Sequence, residues 1–155
     1  MKVHVVLLAT LFVSVGMRAS EKPNLSGNWK LDTQRSRFDS IAAPKSGLLK
    51  IEHQEPKIHM SVNMAGKKGD RVETLDLVTD GTEQKVTVAG QPATATAYWE
   101  DDVHLVVEVD RDLPGGKEVE TRRMHIGDKG KMLTTVLTVK DADGQKSAYG
   151  FYVKE

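Results

Sequence analysis

The sequence predicts an all-β fold, an antiparallel up-and-down barrel of about ten strands, and three observations carry that reading. From residue 26 onward apolar and polar residues alternate, with β-branched runs such as Leu105-Val106-Val107-Glu108-Val109. Turn-forming clusters recur about every ten residues: Glu55-Pro56, Gly66-Lys67-Lys68-Gly69, Asp80-Gly81, Gly90-Gln91-Pro92, Asp101-Asp102, Pro114-Gly115-Gly116, Asp128-Lys129-Gly130 and Asp141-Ala142-Asp143-Gly144. No segment of ten or more residues carries a clean helical period. Consecutive short-looped strands pair antiparallel, and closing such a meander removes its two exposed edges. A β-sandwich is the alternative, because the same alternation serves both.

Taken in order, the strands fall at 26–33, 47–53, 57–64, 70–78, 83–89, 93–99, 103–110, 117–126, 131–140 and 146–153. One phase of the first holds Trp29 and Leu31, and the next two place Leu49, Ile51 and His53, then Ile58, Met60, Val62 and Met64. The fourth carries Glu73, Leu75 and Leu77 in that phase, and the fifth Val86 and Val88. The sixth contributes Ala93, Ala95, Ala97 and Trp99, an unusually thin wall, and the seventh Leu105, Val107 and Val109. The eighth brings Arg122, Met124 and Ile126 to the same face, the ninth Leu133, Leu137 and Val139, and the tenth Tyr152. The longest connection, 34–46, is polar apart from Phe38, Ile41 and Pro44 and reads as a packed loop or one short helical turn.

Ahead of this domain, residues 1–19 have the layout of a secretory signal peptide: Lys2, an apolar stretch from Val5 to Val13, then small residues at Ser14, Gly16, Ala19 and Ser20. The apolar run is short of the roughly 20 residues a membrane span needs, so no stable membrane insertion is expected. An uncleaved interfacial anchor is the alternative. Cleavage after Gly16, with Ser14 at −3, fits the small-residue rule better than cleavage after Ala19. The expected location is therefore secreted or periplasmic, with 21–155 as one β-barrel domain.

Composition narrows the function. The 22 basic and 22 acidic residues balance, which argues against a nucleic-acid partner. There is no cysteine, so thiol catalysis, disulfides and thiolate metal sites are excluded. The sequence holds no Gly-x-Ser-x-Gly, His-Glu-x-x-His, Walker or dinucleotide motif. His53 and His59 fall on opposite phases across one turn and make a poor metal pair. Asp141-Ala142-Asp143-Gly144 begins like a calcium loop, but Tyr152 stands where the closing glutamate belongs. No metal and no cofactor is expected, and no catalytic residue is assigned.

The Gly27-Asn28-Trp29 unit on the first strand resembles the opening motif of the lipocalin and fatty-acid-binding protein superfamily, the calycins. The closing stretch from Tyr149 to Glu155 is similar to the last strand of fatty-acid-binding proteins, and the whole run resembles exported bacterial lipocalin-like proteins with no assigned ligand. The resemblance implies that Trp29 closes one barrel end beside Gly27, with Arg122 or Arg123 stacked over the indole. It also exposes departures. Where a carboxylate-clamping arginine would precede Tyr152 by two positions stands Gly150, and 34–46 is too short for a helix-turn-helix lid.

The expected function is non-enzymatic binding or transport of a small hydrophobic or amphipathic molecule in the barrel interior. Candidate interior residues are His53, Met60, Met64, Glu73, Leu75, Ala95, Ala97, Trp99, Leu105, Val107, Arg122, Met124 and Tyr152, with Gly27 and Trp29 closing the barrel. An inward Arg122 would want Glu73 or an anionic ligand group. An interaction module with a filled barrel, its protein partner unknown, and a calycin-type enzyme using Glu73, His53 or Arg122 are the alternatives.

Overall fold

The computed structural model describes residues 21–67 and 69–155, so the expected signal segment lies outside the described residues. Ten strands follow one another: β1 (Gly27–Leu31), β2 (Ser46–Gln54), β3 (Lys57–Ala65), β4 (Arg71–Val78), β5 (Gln84–Val88), β6 (Gln91–Trp99), β7 (His104–Leu113), β8 (Gly116–Gly127), β9 (Met132–Asp141) and β10 (Gly144–Lys154). Each matches an expected strand, with ends moved by at most a few residues. Among the described residues no helix is long and apolar enough to cross a membrane.

All ten strands form one antiparallel sheet in the order β4-β3-β2-β1-β10-β9-β8-β7-β6-β5. The two ends of the chain meet in it: Trp29 pairs with Lys154 and Leu31 with Tyr152. The sheet curls into a nearly closed barrel, not a sandwich. Its remaining seam lies between β4 and β5, which are neighbours without a hydrogen-bonded ladder. Across that seam Gly81 N–H donates to the Ala97 carbonyl at 2.9 Å. The Gln84 side chain bonds both backbone groups of Val78.

The inward phases form the core. Trp29, Met60, Ala97, Leu105, Met124 and Leu133 are fully buried, and His53, Glu73 and Arg122 are buried beside them. The register of β2, β4 and β8 therefore carries four polar side chains inside, these three and Glu120.

The β1–β2 connection is a packed loop with no helix. β1 is too short to pair with all of β10, and the loop takes over the edge that β1 leaves. Asp32 N–H donates to the Phe151 carbonyl at 2.8 Å, Arg37 and Tyr149 exchange bonds of 2.9 and 2.8 Å, and Ser147 N–H donates to Ser40 Oγ at 3.2 Å. Beyond this tether the chain crosses the barrel end and returns as β2. Lys45 N–H fixes the return on the Ala65 carbonyl at 2.7 Å.

Candidate functional site

The barrel has two different halves. At the end away from the loop, the segment before β1 plugs the floor. Leu25 is 1% exposed. Its N–H donates to His53 Nδ1 at 3.2 Å, and its carbonyl accepts from Trp29 Nε1 at 3.0 Å. A backbone N–H can only donate, so His53 Nδ1 is the acceptor and Nε2–H donates to Glu55 Oε1 at 2.8 Å. Glu55 also accepts from Trp99 Nε1 and from Thr79 Oγ1, each at 2.6 Å. Burial works to raise the Glu55 pKa, but the bonds from Thr79, Trp99 and His53 outweigh it and hold the carboxyl below its usual range.

The cation over Trp29 is Lys154, its Nζ 5.2 Å from the ring centroid, and neither Arg122 nor Arg123 takes that place. A side chain on Gly27 would meet Lys154 Cε at 2.9 Å, so the glycine makes room for this cover.

The loop half holds a cavity of about 370 Å³. That is within the roughly 300–1,000 Å³ usual for small-molecule sites. Phe38, Ile41 and Pro44 of the loop roof it, with Leu31, Leu49, Val62, Met64, Leu137 and Ala148 as apolar walls. Lys67, Arg71, Arg122, Thr135 and Tyr152 supply the polar lining. Gly150 lines it too: a Cβ there would lie 2.6 Å from Thr135 Oγ1 and 2.7 Å from the Tyr152 ring. The position that lacks the clamp arginine is thus a position with no room for a side chain. Burial pushes the Tyr152 hydroxyl above its usual pKa, against the opposing pull of Arg122.

Next to the cavity runs a chain of charges in which Glu73, Glu120 and Arg122 are buried and Arg71 is partly exposed. Arg71 pairs with Glu73 Oε2, Nε to oxygen 3.1 Å, and Arg71 Nη2 reaches Glu120 Oε2 at 2.8 Å. Glu120 Oε1 then accepts from Arg122 Nη2 at 2.6 Å. Arg111 adds a contact to Glu120 at 3.5 Å and pairs with Glu118. The partner of Arg122 is therefore Glu120, two residues away on the same strand, and not Glu73. Burial opposes the ionisation of Glu120, but Arg122 and Arg71 more than offset it and lower its pKa. Burial likewise works to lower the Arg71 pKa, and Glu120 and Glu73 raise it instead. Among the described residues, four buried polar atoms have no partner: Glu73 Oε1, Asp110 Oδ1, Arg111 Nε and Arg122 Nη1.

Of the residues singled out from sequence, Met64, Arg122 and Tyr152 line the cavity. Met60, Leu75, Ala95, Ala97, Leu105, Val107 and Met124 lie in the packed core, and none of them lines it. His53 and Trp99 belong to the floor network, and Glu73 to the charge chain. The thin alanine wall leaves no part of this cavity. Sequence reasoning missed Arg71, Arg111, Glu118 and Glu120, although Glu118, Glu120 and Arg122 share one strand phase. It also missed the roofing role of Ile41 and Pro44, for which no periodic signal exists.

A cation could be held elsewhere on geometric grounds. Glu100, Asp101 and His104, at the exposed β6–β7 turn, bring one ligand atom each within 4.8 Å of one another. The Arg123 guanidinium already stands there, 2.5 Å from Glu100 and 3.9 Å from Asp101, and supplies the positive charge.

No protein-family profile and no curated protein sequence matches the chain. Solved structures do. The zebrafish ileal bile acid-binding protein, complexed with cholic acid, superposes with a TM-score of 0.59 at 12% identity, over 84% of this chain and 98% of that one. A fatty acid binding protein of Schistosoma mansoni, in complex with arachidonic acid, gives 0.56 at 13% identity, over 84% and 96%. The likeness is one of fold: a ten-stranded antiparallel up-and-down barrel.

Proposed function

We propose that this chain is a non-enzymatic carrier that holds a small amphipathic molecule in the cavity beneath the 38–44 loop. One observation carries the reading: the buried Arg122 lines an otherwise largely apolar cavity, and its Nη1 has no partner among the described residues. An unmet buried donor favours any occupant that brings an acceptor. The apolar body of the ligand packs on Phe38, Ile41, Leu49 and Val62, and its acceptor end meets Arg122, with Tyr152 and Thr135 beside it. The fold neighbours support the reading, since both were solved with amphipathic acids, cholic and arachidonic. Residues 1–19 add the proposal that the carrier is exported.

The test is saturable uptake of an environment-sensitive apolar dye by the purified protein, and its displacement by dodecanoic acid. One dye per chain and competitive release are expected. No saturable uptake of any apolar probe would remove the carrier reading. Both tryptophans sit in the floor half, so an extrinsic dye is a better reporter than intrinsic fluorescence.

A further inference from the structure

The open space in the barrel stops at a sharp boundary. Leu49 and Val62 face each other across the β2–β3 ladder, and both line the cavity. One inward step toward the floor, Ile51 and Met60 face each other in the same ladder. These two are 2% and 0% exposed, and neither lines the cavity. On β8 the same change runs from Arg122, in the cavity wall, to Met124, which is fully buried and outside it. On β1 it runs from Leu31 to Trp29. The floor half is thus filled by side chains, and a ligand is offered the loop half alone. At the other side the cavity opens: Ala42, Ala43, Lys67 and Gly69 line it and are exposed. The mouth lies between the β1–β2 loop and the β3–β4 turn.

Volume then limits the occupant. At the roughly 30 Å³ that one water takes in the liquid, 370 Å³ holds about a dozen heavy atoms. Decanoic acid has about that number, and hexadecanoic acid exceeds it by about half. A methylene that enters the cavity leaves water, which is worth about fourfold in affinity. A methylene beyond the limit meets packed side chains at the inner end or solvent at the mouth. Packed side chains admit an extra methylene only with strain, and solvent gives it no burial.

We propose that the protein selects its ligand by length: the occupant is a medium-chain amphiphile of about a dozen heavy atoms, and Met60 and Met124 set the limit by filling the barrel below the cavity. This rests on the carrier reading above and narrows it to a ligand class. Met60 is then a specificity-determining residue that acts by occupying space a longer chain would need. The cavity lining holds Lys67, Arg71 and Arg122 and no carboxylate, so straight-chain acids are the suitable probes.

The experiment measures displacement of a bound apolar dye by the even-numbered straight-chain acids from hexanoic to hexadecanoic, each below its micelle concentration, with wild-type protein and with Met60→Ala. In the wild type the half-displacing concentration is expected to fall by about fourfold per methylene up to decanoic acid. From dodecanoic acid onward it is expected to change by less than about twofold per step, since the added methylenes are not buried. Met60→Ala removes side-chain volume below Val62 and is expected to move the break to a longer acid, by about two carbons. A gain that continues undiminished to hexadecanoic acid in the wild type overturns the length limit and leaves the carrier reading standing. A break that stays in place in folded Met60→Ala overturns the assignment to Met60. Dye uptake that no acid of the series displaces overturns the ligand class. Absence of any dye uptake removes the carrier reading itself, and this inference with it. The wild-type series decides the length limit even if the variant fails to fold.

Discussion

Gln84 mends the open edge of the barrel at Val78. Its side-chain Oε1 accepts from Val78 N–H at 2.9 Å, and its Nε2 donates to the Val78 carbonyl at 3.2 Å. One side-chain amide thereby imitates the backbone partner that β5 does not supply. The bond pair sits at the Val78 end of the seam, and no ladder joins β4 to β5. An edge left open in this way is a place where the sheet can part or pair wrongly.

Replacing Gln84 by Ala should cost about 1–2 kcal/mol, the net value of two hydrogen bonds to a part-buried backbone. It should also speed hydrogen exchange at the Val78 amide. Urea unfolding and amide exchange measure the two effects. Gln84→Glu keeps the acceptor and loses the donor, so it should fall between. An unchanged midpoint together with unchanged exchange at Val78 would show that the seam is closed by other contacts.

Glu120 is the hub of the interior charges, and its neutral analogue should be costly. Glu120→Gln leaves the buried Arg122 and the partly exposed Arg71 without their shared anion, a loss of about 2–4 kcal/mol, below the full value for a wholly buried pair because water reaches Arg71. The acid limb of the stability curve should change as well. The folded-state pKa of Glu120 lies below its ordinary value of 4.5, so as pH falls the unfolded chain takes up this proton first. The stabilisation is complete above pH 4.5 and is lost as pH falls through the lower folded-state pKa. Glu120→Gln should lack that part of the acid slope, as unfolding midpoints across acidic pH would report. A slope identical to that of the wild type would contradict the hub assignment.

Inside and outside were legible in the sequence because the strand period is two. His53, Glu73 and Arg122 all face inward, as their phases required. Depth along the barrel was not legible. Alternation says that Trp99 and Tyr152 face one interior, but not that Trp99 lies at the floor beside Glu55 while Tyr152 lines the cavity. Depth depends on strand stagger, which only the ladder registers fix. The Glu120–Arg122 pair was within reach of the same period-two rule, since residues two apart share a face. The roof was out of reach: Ile41 and Pro44 arrive there because β1 stops early and the loop must follow the bare edge of β10.

Gly150 tests whether the cavity's polar end has any slack. A methyl at this position would crowd Thr135 Oγ1 and the Tyr152 ring, both well inside contact distance. Gly150→Ala should therefore tilt Tyr152 into the cavity, cost about 1–3 kcal/mol by overpacking and weaken dye uptake. Gly150→Ala combined with Thr135→Ala removes one of the two obstacles and should recover part of both losses. Dye titration and thermal unfolding of the two variants decide. Full dye affinity in the single variant would place the probe elsewhere.

The two halves of the barrel should separate stability from binding. Leu25 is buried at the floor, where it ties Trp29 and His53 together, and it is not a cavity residue. Leu25→Ala should cost about 2–5 kcal/mol, the usual range for a large-to-small change in a core. Under conditions where the variant stays folded, its dye affinity should match the wild type. Ala148, by contrast, is buried against the cavity itself. Ala148→Phe would place a ring in space that is already open, so dye uptake should fall at least tenfold while the urea midpoint moves little. Paired titrations and unfolding curves test the contrast directly. If Leu25→Ala abolished uptake in the folded protein, the floor would be part of the binding machinery. If Ala148→Phe left uptake intact, the ligand would have to enter some other part of the barrel.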